Sequence, residues 1–157
     1  MLEFQGKTDG RGLRIGIVVS RWNSSITESL LRGALRALIA SEVADNNITI
    51  VRVPGAWEIP TAARELAEQQ SYDALVALGC VIKGDTAHFE YVAGAAMEGI
   101  RRVSLDHGIP VTCGILTTYT EEQAKERAQD NEENKGSEAA LSAIEMATLL
   151  YSLRKSN

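Results

Sequence analysis

Apolar residues follow two rhythms that alternate along this chain. Short unbroken runs rich in Ile and Val are separated by longer stretches with helical spacing. Leu13-Arg-Ile-Gly-Ile-Val-Val-Ser20 reads as a strand, as do Ile48 to Val53, Ala74 to Val81 and Pro110 to Leu116. Continuous apolar runs of this length fit strands covered on both faces. Between them lie amphipathic patterns. Ser25-Ile-Thr-Glu28 has the form of a capping box and predicts a helix to about Ala44. A second helix is predicted from Ile59 to Gln69, with Pro60 in its first turn, where a missing N–H costs little. A third opens at Ala87 and runs to about His107. Thr120-Glu-Glu-Gln123 forms another capping box for a short helix to about Ala128, and a last helix spans Ser137 to about Leu153.

Strands separated by helical segments of this length must pair in parallel, with right-handed crossovers that lay helices over the sheet. The expected fold is an α/β three-layer sandwich around four parallel strands. Residues 1–157 read as a single domain, with residues 1–12 as a glycine-containing arm that is mobile alone or ordered by a partner. The polar stretch Gln129 to Asn134 reads as a solvated joint between the last two helices.

In open parallel sheets ligands bind beyond the carboxyl ends of the strands. That rule selects Ser20-Arg-Trp-Asn23, Pro54-Gly-Ala-Trp-Glu58, Cys80 to His88, and Cys113 to Thr118. The third segment carries the most chemistry. Its strand breaks through Lys83-Gly84-Asp85-Thr86 into a helix N-terminus, where unpaired N–H groups and the helix dipole favour an anion. His88, in the first turn, sets a group that titrates near neutrality beside that anion. The pairing points to an enzyme acting on a small phosphorylated substrate. Trp22 and Trp57, at two strand ends, offer stacking platforms for a flat heterocycle, and Glu58 offers an acceptor. The plainer reading is that both rings cap the core edge.

Gly79 to Thr86 nearly matches a nucleotide phosphate loop, but Asp85 stands where the lysine belongs. Cys80, His88, His107 and Cys113 could supply zinc ligands, but their spacing matches no common site. A Cys80–His88 nucleophilic pair is a further alternative, and a small cysteine ending a strand is more often packing. Composition narrows the field. A net charge of −5 with scattered Lys and Arg gives no basic face for nucleic acid. No apolar run reaches the roughly 18 residues of a membrane span, and Met-Leu-Glu-Phe-Gln-Gly-Lys shows no signal-peptide pattern. Two cysteines are too few for a disulfide framework, which fits a reducing cytoplasm.

Read together, several segments resemble the 6,7-dimethyl-8-ribityllumazine synthase family. They are Arg21-Trp-Asn23, Val53-Pro-Gly-Ala-Trp-Glu-Ile-Pro60, Gly79 to His88, Gly114-Ile-Leu-Thr-Thr118, Glu122-Gln-Ala124 with Glu126-Arg-Ala128, and Asn134-Lys-Gly136. The likeness spans about Arg14 to Ser152. It implies a flavodoxin-like fold and a cytoplasmic transferase of riboflavin biosynthesis that works without cofactor or metal. Such an enzyme condenses 5-amino-6-(D-ribitylamino)uracil with 3,4-dihydroxy-2-butanone 4-phosphate. The partners implied are these small molecules, further copies of the chain in a homopentamer, and riboflavin synthase as a candidate.

The resemblance also assigns roles. Trp22 stacks on the pyrimidine and Asn23 supports its loop. Ala56, Trp57 and Glu58 line the ribityl chain, while Cys80, Val81 and Ile82 meet the pyrimidine edge. Asp85 and Thr86 offer backbone N–H groups to phosphate, and His88 transfers protons. Cys113, Arg127 and Lys135 come from the adjacent subunit, Arg127 to the phosphate and Lys135 to the pyrimidine. Residues 1–9 join a neighbour's sheet. This sequence departs from the family's usual pattern in having Trp22 and Trp57 where phenylalanine is common, and Cys113 where a bulkier apolar residue is frequent. Asp85 brings a carboxylate close to the phosphate; its side chain is expected to cap the helix or turn outward. Gln129-Asp-Asn-Glu-Glu133 lacks the glycine-rich turn of members that build hollow shells. Rival readings are a flavin or lumazine carrier and a riboflavin synthase of the similar archaeal fold.

Overall fold

The structure, a computed structural model, describes residues 1–156. Its four strands are β1 (Ile15–Ser20), β2 (Ile48–Val53), β3 (Ala74–Ile82) and β4 (Val111–Thr118). The helices are α1 (Ser24–Ala40), α2 (Ile59–Glu68), α3 (His88–His107), α4 (Glu121–Arg127) and α5 (Lys135–Lys155). All strand pairs are parallel and the sheet order is β2-β1-β3-β4, with Ile15 of β1 opposite both Ile48 and Ala74. The expected three-layer α/β sandwich, flavodoxin-like in strand order, is the observed one.

Side-chain alternation divides the core into two layers. Ile15, Ile17 and Val19 of β1 face α1, α4 and α5, where they meet Leu30, Leu38, Ala124 and Ile144. Val18 points the other way, toward Ile59 and Ala63 of α2 and Ile100 of α3. Every residue of β1 is therefore buried, which explains why the strand carries no charged residue. The edge strands β2 and β4 instead include exposed positions, Ile50 and Arg52 in β2 and Cys113 and Thr117 in β4.

Three expectations need correction. First, Ser25 and Glu28 form no capping box. The N-cap of α1 is Asn23, in the left-handed region at φ 60, and its side chain makes no capping bond. The chain must turn sharply off β1 here, and asparagine tolerates that conformation better than most residues. Glu28 instead pairs with Arg52 on β2. Second, α1 stops at Ala40, short of Ala44. Glu42 adopts φ 67, the Val43 N–H donates to Leu38 O at 3.0 Å, and the Glu42 N–H donates to Ile39 O at 2.9 Å. This is a Schellman ending with glutamate at the position glycine usually takes, and Val43 is buried beside it. Third, the joint after α4 is not wholly solvated, because Asn134 is fully buried.

Asn134 organises that corner. Its Oδ1 accepts from the Gly136 and Ser137 N–H groups at 2.9 and 3.1 Å, capping α5. Its Nδ2 donates to Ser29 O of α1 and to Gln129 O. A side chain at Gly136 would strike the Leu30 carbonyl, so glycine permits the close approach of α5 to α1. The arm is likewise partly tied down by its own chain. Lys7 exchanges hydrogen bonds with Thr148 of α5, and the Gly10 N–H donates to Ser41 O at 2.7 Å. Met1 and Leu2 remain exposed.

Candidate functional site

The strand order reverses between β1 and β3, so the loops leaving these neighbours diverge to opposite faces and open a crevice. A cavity of about 560 Å3 occupies it. Its walls include Trp22 and Asn23 after β1, Ala56, Trp57 and Glu58 after β2, and Cys80, Val81 and Ile82 at the end of β3. Gly84, Thr86 and His88 close it at the start of α3. A pocket of this size, mainly apolar with few polar groups, suits a small organic ligand.

Backbone contacts set these walls. The Arg21 N–H donates to Val53 O at 2.8 Å, and the Trp22 N–H donates to Pro54 O at 3.0 Å. Those bonds tie the loop after β1 to the end of β2. Asn23 Nδ2 reaches the other way and donates to Cys80 O on β3 at 2.9 Å. One short loop thus bridges both neighbouring strands, with the left-handed turn at Asn23 allowing it. The Trp22 ring lies against Gly55, where any β-carbon would collide with it. Glu58 folds back, and its Oε2 accepts from the Gly55 N–H at 2.9 Å. Trp22 is 63% exposed and Trp57 58%, so neither ring caps the core edge. Both present apolar faces to solvent at the pocket, a costly arrangement unless a ligand covers them.

The anion end is open. The N-cap of α3 is Ala87, without a side-chain capping bond, and Asp85 is exposed. Thr86 Oγ1 lies 3.4 Å from the His88 N–H, a long contact that leaves the first-turn donors largely free. The His88 ring is exposed. Cys80 is buried at 5% exposure, and burial pushes its thiol up to about 11. It is protonated at neutral pH, so the Cys80–His88 nucleophilic pair has no thiolate to work with. His107 ends the twenty-residue helix that His88 begins, roughly 30 Å away along its axis, and no shared metal site can include both.

Four expected residues do not line this cavity. Asp85 is exposed and lies outside the lining. Cys113 sits on β4 over a separate groove, its Sγ 3.2 Å from Met97 Sδ. Arg127 ends α4, where Nη1 donates to Gln123 O at 2.9 Å. Lys135 opens α5 and pairs with Glu138 at 2.9 Å. Three lining residues were not anticipated: Phe89, Tyr91 and Val92. Tyr91 and Val92 lie three and four positions after His88, so helical spacing alone puts them on its face of α3.

Residues 12–151 match the family described as 6,7-dimethyl-8-ribityllumazine synthase. The chain belongs to that family. The matched span takes in all four strands, all the loops of the cavity, and α4 with most of α5. The lumazine synthase family assignment therefore covers both the pocket and the remote residues Cys113, Arg127 and Lys135.

Proposed function

We propose that this chain is a 6,7-dimethyl-8-ribityllumazine synthase, which joins 5-amino-6-(D-ribitylamino)uracil to 3,4-dihydroxy-2-butanone 4-phosphate and releases phosphate and water. The observation that carries the reading is one cavity holding exposed tryptophans, an uncapped helix N-terminus and His88 together. A flat heterocycle, a phosphate and a proton carrier each have a counterpart there. Trp22 stacks on the pyrimidine, Asn23 fixes that loop, and Glu58 with Ala56 and Trp57 receives the ribityl chain. Val81, Ile82 and the backbone at Cys80 form the floor under the ring.

The uracil's 5-amino group attacks the ketone, and loss of water leaves an imine. His88 moves protons while the phosphate departs as an anion toward the Gly84, Asp85 and Thr86 N–H groups. Phosphate loss leaves an enol that tautomerises to a second ketone; the ribityl-bearing nitrogen adds to that carbonyl, and loss of a second water closes the ring. Holding both substrates in register supplies much of the rate.

A departing phosphate needs positive charge, and Arg127 lies away from this chain's own cavity. A ring of five copies meets the requirement, with Arg127, Lys135 and Cys113 of each chain completing the next chain's site. Residues 1–9 are free at their apolar tip to add to a neighbour's sheet. Riboflavin synthase, which consumes the product, is the candidate partner, and the reducing cytoplasm the expected setting. Mixing the purified protein with both substrates tests the reading: the green fluorescence of the lumazine should grow with enzyme concentration. Fluorescence growing no faster than in a protein-free mixture would refute it.

A further inference from the structure

We infer that Lys83 is a phosphate-binding cation that each chain supplies to its own pocket. The inference rests on the proposed synthase reading, which places the phosphate at the loop after β3. Among the residues lining the cavity the only side chain with a full negative charge is Glu58, and none is a lysine or arginine. An anion held there by backbone N–H groups alone would lack a countercharge from the same chain. Lys83 directly precedes Gly84 of that loop.

Three features set it apart from an ordinary surface lysine. Its backbone is fixed, the N–H donating to Thr118 O of β4 at 2.9 Å, so the side chain starts from a rigid point. Its Nζ forms no ion pair among the described residues, although Asp85 and Glu90 are close in sequence. It rests instead over the Tyr119 ring, 5.6 Å from the centroid. Tyr119 in turn lies 6.3 Å from the ring of Phe89, a cavity residue. A cation–π rest of this kind is weak at an exposed position, so the ammonium leaves it readily for an anion.

A lysine beside the N-terminus of a twenty-residue helix stands at the positive pole, where a cation is disfavoured. Its charge and the free N–H donors reinforce each other only when an anion binds between them. Lys83 thus draws the phosphorylated substrate in and holds phosphate at the loop, alongside the arginine contributed by another copy.

The test uses Lys83→Gln, which keeps a polar side chain shorter by one atom and removes the charge at an exposed position. The Michaelis constant for the butanone phosphate should rise about five- to tenfold, and inhibition by inorganic phosphate should weaken by the same factor. The constant for the uracil should stay unchanged, and the ionic-strength dependence of kcat/KM should flatten. Lys83→Arg should restore all three. Calorimetric titration with inorganic phosphate reads the same difference without turnover, so the inference is tested even if the wild-type chain makes no lumazine. An active wild type whose Lys83→Gln variant keeps its phosphate affinity and salt dependence overturns the role of Lys83 alone.

Discussion

At the scale of single residues, exposure separates chemistry from packing. The His88 ring is exposed and its side chain makes no hydrogen bond among the described residues, so the fold does not depend on it. His88→Ala should lower turnover by roughly 10²-fold or more, within the ~10²–10⁴ typical of a positioned proton-transfer group, and leave the melting temperature unchanged. Steady-state fluorescence assays beside thermal melts check both halves; wild-type turnover would contradict the assignment. Cys80 behaves oppositely. Burial first, and the Glu121 carboxylate second, raise its pKa from the ordinary 9.0 to about 11. The folded state therefore favours the thiol, and this contribution to stability is complete below pH 9 and fades as pH climbs through 11. Iodoacetamide at pH 8 should spare Cys80 in the folded protein and modify it after unfolding. Rapid modification of native Cys80, read by peptide mass, would contradict the burial.

The elements were largely legible because burial on two faces leaves a plain mark. Strands β1 and β3 are covered above and below, so their sequences carry no polar alternation to confuse with helix. The Thr120 box also stands as read: the Gln123 N–H donates to Thr120 Oγ1, and the Thr120 N–H to Gln123 Oε1. What failed was at helix ends, where tertiary demands outweigh local preference. Ser25-x-x-Glu28 fits the capping pattern, but Glu28 is drawn to Arg52 and the turn falls at Asn23. Glutamate at φ 67 ends α1 without the glycine that would have marked it. The burial of Asn134 was hidden within a polar run because one of its partners, Ser29 O, lies on α1, about a hundred residues earlier in the chain. That burial makes it costly to replace. Asn134→Ala removes the cap of α5 and leaves the Ser29 and Gln129 carbonyls without their donor. A loss of about 2–4 kcal/mol is expected from the cap and unpaired groups together, read by urea denaturation. A loss below about 0.5 kcal/mol would mean that the corner rearranges and the buried network is not needed.

For the whole molecule, the question is what a single chain leaves unfinished. The strand-end rule drew Trp22, Trp57 and His88 into one crevice because sheet topology fixes where loops converge. It wrongly included Cys113, which is the third residue of β4 and lies on a separate groove, and it has no power over Arg127 and Lys135, which the fold sends to other surfaces. Spacing within one sequence cannot reveal residues that meet only between copies. If a neighbour completes the site, Arg127→Ala should raise the Michaelis constant for the butanone phosphate far more than that for the uracil. Arg127→Lys should rescue only in part, since lysine lacks the bidentate fork. Mixing Arg127→Ala with His88→Ala should then recover activity in hybrid rings, because some interfaces carry both intact residues. The minimum unit expected is a homopentamer closed by one repeated head-to-tail contact. Any larger shell needs a second contact, for which the α4–α5 joint is the expected surface. There Asp130 is neutralised by Arg36, while Glu132 and Glu133 stand exposed. Five-fold rings bearing these acids repel at low ionic strength and less so when salt screens them. Light scattering at about 0.01 M and 1 M salt should therefore find pentamers in the first and at most a salt-induced shift to larger particles in the second. A monomer at both would refute the shared site, and failure of the two variants to complement would refute it independently. A hollow shell indifferent to salt would overturn only the reading of the joint.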